Sequence, residues 1–175
     1  MLGVRTRGDL SDIESRADIE RLVRAFYGRA LEDPLIGWLF VDVAKLDLDA
    51  HVPVITNFWE TILLGARSYS GGAFRPHGVL HEKAGLRAAH FERWLVLWHA
   101  SIDERFAGET ADLAKSHAVR VAHAFHARLH GVPAADGATS TSTTGLTVTR
   151  HGSSPPVTNL GVTRHRSPGA PEADD

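Results

Sequence analysis

Tyr27, His51 and Trp94 place a hydroxyl, an imidazole and an indole on stretches whose other residues have the apolar spacing of a helix face. When such a polar group is buried it must find a hydrogen-bond partner, because leaving it unpaired costs about 1–3 kcal/mol. Taken alone, each side chain fits ordinary amphipathic packing, with its polar atom reaching water. Taken together, the three could donate hydrogen bonds to one small ligand in a pocket.

Histidines are the candidate metal ligands. His77 and His81 are four residues apart, so a helical turn would place both on one face. Three interpretations stay open: a solvent-facing pair, a small transition-metal site, or an axial ligand for a haem iron. Four further histidines lie in the last helical stretch, namely His117, His123, His126 and His130. Their spacing can bind zinc or copper, but no carboxylate or thiolate completes a site, which favours a solvated helix face.

The composition excludes several classes of function. The chain has 175 residues, 43% hydrophobic and 23% charged, with a net charge of -2, so we expect one soluble domain that binds neither nucleic acid nor membrane. The absence of cysteine excludes disulfides, thiolate metal sites, iron–sulfur clusters and thiol catalysis. Residues 1–18 lack an apolar signal-peptide core, and no apolar run approaches the roughly 18 residues of a membrane helix, so we expect a cytoplasmic protein.

The elements that must position these side chains are all predicted to be helical. Apolar residues recur at helical spacing along 15–130, and no segment alternates apolar and polar residues over a useful length. The sequence predicts a first helix that starts at a capping box formed by Ser15 and Asp18. Pro34 ends that helix, and a short helical turn over 35–40 follows.

The remaining elements are predicted to be three helices and one irregular stretch. Asp49 is the expected N-cap of the second helix, which places Pro53 in its first turn. Residues 68–87 contain several glycines and a proline, so we expect a loop with short helical pieces. Two long helices follow, and they end near Gly108 and Gly131.

A change in composition at residue 131 divides the chain. Residues 131–175 contain no aromatic residue, no Ile and no Met, and are rich in Gly, Ser, Thr and Pro. Such a segment cannot bury enough apolar surface to offset the entropy lost on ordering. We therefore predict a flexible segment over 1–14, a helical domain over 15–130 and a disordered tail over 131–175.

The order of these stretches resembles the truncated haemoglobins, specifically their third group. Phe26-Tyr27, followed by Asp33-Pro-Leu-Ile-Gly-Trp-Leu-Phe40, resembles the first pocket helix of that family and the short turn after it. The stretch that begins at His51 and continues through Asn57-Phe-Trp59 resembles the distal helix. The resemblance makes Tyr27 and His51 residues of the distal pocket.

The second half of the domain carries the other two matching motifs. Tyr69-Ser-Gly-Gly-Ala-Phe-Arg-Pro-His77 resembles the stretch that leads to the proximal histidine of the family. His90-Phe-Glu-Arg-Trp94-Leu resembles the helix that contributes a tryptophan to the distal pocket. The resemblance extends over roughly residues 17–130.

The resemblance implies an all-α shortened globin fold, a two-over-two helical sandwich around haem b (iron protoporphyrin IX). It makes Tyr27, His51 and Trp94 the ligand-binding residues. The implied haem-binding residues are His77 and a set of apolar walls, namely Phe26, Phe40, Ile55, Phe58 and Phe91.

The proximal ligand has two candidates. The spacing from Tyr69 favours His77, whereas counting back from Phe91 points nearer to His81, because the intervening stretch is longer than usual for the family. Pro76 and Gly78 make the region around His77 loop-like. We favour His77 and keep His81 as the alternative.

The expected function is reversible binding of O2, CO or NO at a histidine-ligated iron, with hydrogen bonds from the distal residues. The alternative is a haem enzyme, with peroxidase-like or NO-dioxygenating activity, that needs an external reductase. A third hypothesis, from another class, is a haem-free helical interaction module whose histidines lie on its surface.

Overall fold

The computed structural model describes residues 10–131. Within that range the chain forms helices and no strand, which confirms the all-α prediction. In chain order these are α1 (Arg16–Ala30), a π-helix (Leu39–Val43), α2 (Leu48–Leu64), α3 (Phe74–Ala84), α4 (Ala88–Asp103) and α5 (Glu109–Leu129). No helix in the described range is long and apolar enough to cross a membrane.

The helices pack as two pairs. α1 packs on α2 and α4 packs on α5, while contacts of α1 with α4 and of α2 with α5 join the pairs. The short α3 lies against α5 and against the π-helix. This arrangement is a two-over-two sandwich, as predicted. The predicted tail lies outside the described residues, apart from residue 131.

Helix α1 starts as the sequence predicts. The Ser15 hydroxyl accepts from the backbone N–H of Asp18, and the Asp18 carboxylate accepts from the N–H of Ser15. The buried face of the helix carries the apolar stripe and ends on the site residues, with Phe26 and Tyr27 both buried. The register of α1 therefore directs Tyr27 into the interior.

Asp33 fixes the turn between α1 and the π-helix. Its side chain is 3% exposed and pairs with Arg93 of α4, at 2.7 Å between carboxylate oxygen and guanidinium nitrogen. The other carboxylate oxygen accepts from the N–H groups of Leu35 and Ile36, at 3.0 and 3.2 Å. The predicted helical turn over 35–40 is thus a capped turn, and Phe40 lies in the π-helix that follows it.

Helix α2 begins earlier than predicted. Its N-cap is Asp47, not Asp49, because the Asp47 carboxylate accepts from the N–H groups of Asp49 and Ala50. Pro53 is consequently the sixth residue of the helix rather than a first-turn residue. Pro53 is exposed, so the carbonyl that its missing N–H would have bound can reach water.

The prediction of a loop over 68–87 is wrong for much of its length, because α3 is an 11-residue α-helix. Pro76 is the third residue of α3, where a backbone N–H has no partner within the helix, so the proline costs little there. Gly85 has a φ of 63° and ends the helix in the left-handed conformation. His77 therefore projects from a regular helix.

Part of the predicted flexible segment is fixed to the domain. The Asp12 carboxylate accepts from the N–H groups of Thr110 and Ala111 at the start of α5, at 2.9 and 2.8 Å. Ile13 is 1% exposed and belongs to the core. Asp12 and Ile13 therefore contact the helical domain, and the polar sequence around them gave no sign of this anchor.

Candidate functional site

Tyr27 and His51 form a hydrogen-bonded pair. The Tyr27 hydroxyl lies 2.8 Å from Nε2 of His51, and the two rings meet edge to face at 84°. Tyr27 is 5% exposed and His51 is partly buried. Phe40 packs edge-on against the Tyr27 ring from the π-helix. The structure therefore brings together three residues that the sequence analysis assigned to one pocket.

Burial keeps both members of this pair neutral near pH 7. It raises the pKa of Tyr27 far above its usual value, so the phenol retains its proton. Burial also lowers the pKa of the His51 imidazole, and the charge of His77 lowers it further. The pair thus holds one hydroxyl proton and one imidazole proton that can be arranged between three heteroatoms.

His77 has the orientation of a metal-binding imidazole. Its Nδ1 lies 2.7 Å from the carbonyl oxygen of Ala73, one turn earlier in α3, so Nδ1–H can donate to that oxygen. This bond leaves the lone pair of Nε2 free to ligate. Burial lowers the pKa of His77, which favours the neutral form that a metal requires.

His81 has a different environment. Its ring packs edge-on against His130 at the end of α5, with 5.0 Å between centroids. Its Nδ1 is buried and has no hydrogen-bond partner among the described residues. An imidazole held without this second bond lacks the partner that usually orients a ligand, so the local chemistry favours His77.

Trp94 and Tyr27 both pack against the same residue, Phe26. Phe26 is 1% exposed, and it meets the Tyr27 ring at 5.0 Å and the Trp94 ring at 5.6 Å, edge-on in both cases. The Trp94 ring also stacks on Trp98 of the same helix. Phe26 thus separates the hydroxyl donor from the indole donor.

The other predicted apolar walls have different ring neighbours. Ile55, Phe58 and Phe91 are partly buried against the core, but Phe91 packs on His126 and Phe58 packs on Trp59. The structure does not place these three in ring contact with the Tyr27–His51 pair. They remain predictions as haem contacts.

A cavity of about 310 Å³ lies between the end of the π-helix and α3, and the residues that line it do not include His77. Its apolar lining is Val43, Ala44, Pro76, Val79 and Leu80, and two cations complete it, Arg75 and Lys83. Arg75, Val79 and Lys83 recur every four residues on α3. The sequence analysis missed this lining because it treated the segment as a loop, in which a four-residue spacing has no structural meaning.

The histidines of α5 were predicted to form a solvated helix face rather than a metal site. Among residues 10–131, no group of three or more His, Asp or Glu side chains is arranged to hold a metal ion. His123 is exposed, while His126 packs against His130 at 4.5 Å between ring centroids. His117 is partly buried against Trp59. The solvated-face interpretation therefore fits only part of this helix.

Comparison with known proteins gives one informative match. No protein-family model matches the chain, and no curated protein matches it. Among solved structures, the group III truncated haemoglobin from Campylobacter jejuni matches with a TM-score of 0.61 and 25% sequence identity. The match covers 69% of this chain and 94% of that one.

The fold is therefore that of a truncated globin, and the match supports a globin that binds haem. It also confirms the resemblance to the third group of truncated haemoglobins that the four sequence motifs indicated. The individual site residues stand on the geometry of this chain alone.

Proposed function

We propose that this chain is a globin that binds haem b through His77 and reversibly binds O2, CO or NO on the side of Tyr27 and His51. The observation that carries the proposal is the orientation of the buried His77, whose Nδ1 bonds to the Ala73 carbonyl and leaves Nε2 available, while Nε2 of His51 bonds to the Tyr27 hydroxyl. When bound, the haem would supply an iron that can bind a diatomic ligand.

The residues present fit that group. One imidazole has a free Nε2 and a carbonyl partner on Nδ1, and this partner raises its basicity as a ligand. The helix that carries His77 also carries two cations, Arg75 and Lys83, which could pair with the two carboxylates of the porphyrin. We keep His81 as the alternative ligand.

The Tyr27 hydroxyl has one proton, so it can donate a hydrogen bond either to His51 or to a bound ligand, but not to both. In one arrangement its O–H donates to Nε2 of a neutral His51. In the other, the His51 tautomer with a proton on Nε2 donates to the phenolic oxygen, and the Tyr27 O–H is then free to donate to a ligand in the pocket. A change of the His51 tautomer thus redirects the hydrogen bond of the Tyr27 O–H from His51 to the ligand.

Trp94 is the second proposed donor. Its indole N–H can only donate, so it does not compete for the Tyr27 proton. Each neutral hydrogen bond to the ligand would contribute about 1 kcal/mol net, which slows ligand escape about fivefold. A cytoplasmic location, an external reductase and a peroxidase-like or NO-dioxygenating activity remain predictions.

The proposal is tested by adding haem to the purified full chain and recording its absorption spectrum. We expect one haem per chain, with a Soret band that shifts on reduction and again on addition of CO. Failure of the folded protein to bind haem would contradict the proposal and favour the haem-free interaction module.

A further inference from the structure

Three indoles form a continuous stack that starts at the proposed pocket. Trp94 and Trp98 are parallel within 6°, with 5.7 Å between ring centroids. Trp98 and Trp59 are parallel within 18°, at 4.6 Å. Trp98 and Trp59 are 1% and 2% exposed, so the stack runs through the core from α4 to α2. We call these three residues the indole column.

The indole N–H of Trp98 is not needed for packing. It is buried and has no hydrogen-bond partner among the described residues, at a cost of about 1–3 kcal/mol relative to a paired group. A phenylalanine would fill most of the same space without that cost. Indole, unlike phenyl, is readily oxidised by one electron, and this property distinguishes Trp98 from an apolar replacement.

The column leads towards a phenol at the edge of the domain. Phe58 packs edge-on against Trp59 at 5.2 Å and against Tyr69 at 5.3 Å. Tyr69 is partly buried, in contrast to the buried indoles. A tyrosine radical forms by loss of one electron together with the phenolic proton, which solvent near Tyr69 can accept.

We propose that the indole column conducts oxidising equivalents from the haem pocket to Tyr69, so that the protein can reduce hydroperoxides with electrons taken up at its surface. This inference rests on the proposed haem site. The orphaned N–H of Trp98 suits the role, because no neighbouring acceptor can take the proton and trap the electron vacancy on that ring.

The electrons and protons balance. A hydroperoxide takes up two electrons and two protons and yields an alcohol and water. For each electron, Trp94 gives one electron to the haem site, Trp98 refills Trp94, Trp59 refills Trp98, and Tyr69 refills Trp59 and releases its proton. An external one-electron donor of the ascorbate or phenol class then returns one hydrogen atom to Tyr69, and two such passages complete the reaction.

The test treats the haem-loaded full chain with hydrogen peroxide, without an external donor, and maps oxidised residues by peptide mass spectrometry. Freeze-quench electron paramagnetic resonance identifies the radical. We expect oxidation products at Trp59 and Tyr69 and a protein radical signal. In Trp98→Phe, products at both sites should be lost while those at Trp94 increase, with the Soret band and helical circular dichroism unchanged.

Trp38→Phe is the matched control, because Trp38 is 41% exposed and lies outside the column. It should oxidise as the parent protein does. Trp59→Phe is the second variant, in case Trp98→Phe does not fold, and it should lose the product at Tyr69. Unchanged oxidation of Tyr69 in the folded variant, or equal oxidation in the haem-free protein, would overturn the conduit.

The two proposals fail in different ways. If the protein does not bind haem, no oxidant forms next to the indole column, and both proposals are wrong. If haem binds and reacts with peroxide, but the products at Trp59 and Tyr69 do not depend on Trp98, only the conduit is wrong.

Discussion

Replacement of Asp33 tests how the turn before the distal pocket is held. Asp33→Asn keeps an oxygen that can accept from the N–H groups of Leu35 and Ile36 but removes the negative charge that faces Arg93. Asp33→Ala removes all of these interactions. The two variants therefore separate the ion pair from the cap of the turn.

The expected magnitudes follow from the contacts. A buried hydrogen bond to a charged group contributes about 1.5–3 kcal/mol, but the Arg93 side chain is 40% exposed and regains water when its partner is neutral. We therefore expect Asp33→Asn to lower the free energy of unfolding by about 1.5 kcal/mol. Asp33→Ala loses two further bonds of about 1 kcal/mol each, so we expect a loss of about 3.5 kcal/mol.

The contribution of the Asp33–Arg93 ion pair to stability should also depend on pH in the acid range. Burial alone would raise the pKa of Asp33, but the hydrogen bonds from Arg93, Leu35 and Ile36 and the charge of Arg93 outweigh it and lower the pKa. The stability that the carboxylate contributes is present above its ordinary pKa of about 3.9 and is lost as pH falls through the folded value. Asp33→Asn should therefore flatten the acid limb of the stability curve.

Urea denaturation between pH 7 and pH 3 measures both effects. Glu104→Gln is the control, because the Glu104–Arg29 pair is solvent-exposed and should contribute at most about 1 kcal/mol. Equal losses for Asp33→Asn and Asp33→Ala would show that the turn cap contributes nothing. An acid limb unchanged by Asp33→Asn would refute the account of the ion pair.

Three further predictions concern the pocket and the anchor. Tyr27→Phe should speed CO or O2 dissociation about fivefold in flash photolysis or stopped flow, because one hydrogen bond is lost; an unchanged rate would remove Tyr27 from the pocket. Because burial lowers the pKa of His51, the free energy of unfolding should fall as pH drops below about 6.5, and His51→Gln should reduce that fall in urea titrations. Gly108→Ala should cost about 1–3 kcal/mol in thermal unfolding, since φ is 146° and an added Cβ would meet the Asp12 carboxylate. Gly28→Ala, with open space at its Cβ in α1, should instead stabilise by about 0.5–1 kcal/mol.

Local signals in the sequence predicted the first helix, whereas the resemblance to a known family predicted the distal pair. The capping box and the apolar stripe fix the register of α1, and that register turns Tyr27 inward. The resemblance to the truncated haemoglobins, rather than the helix pattern, put His51 in the same pocket as Tyr27, and the earlier start of the helix does not change the face that His51 occupies. A small error at a helix start does not change which face a residue occupies.

Elements that depend on tertiary contacts were not predicted. Helix α3 contains Pro76 and Gly78, both poor helix formers, and it forms where it packs on α5 and the π-helix. The anchor at Asp12 joins groups 98 residues apart, and local sequence cannot reveal such a pairing. The unpaired N–H of Trp98 is likewise visible only once its surroundings are known.

The most direct test of the central claim compares His77→Gly with His81→Gly, each loaded with haem and reduced to the ferrous state. The account predicts that His77→Gly loses the five-coordinate histidine-ligated absorption spectrum and regains it when free imidazole enters the space left by the side chain. His81→Gly should keep the parent spectrum without imidazole. A parent spectrum in His77→Gly without imidazole, together with its loss in His81→Gly, would contradict the assignment of His77 as the iron ligand.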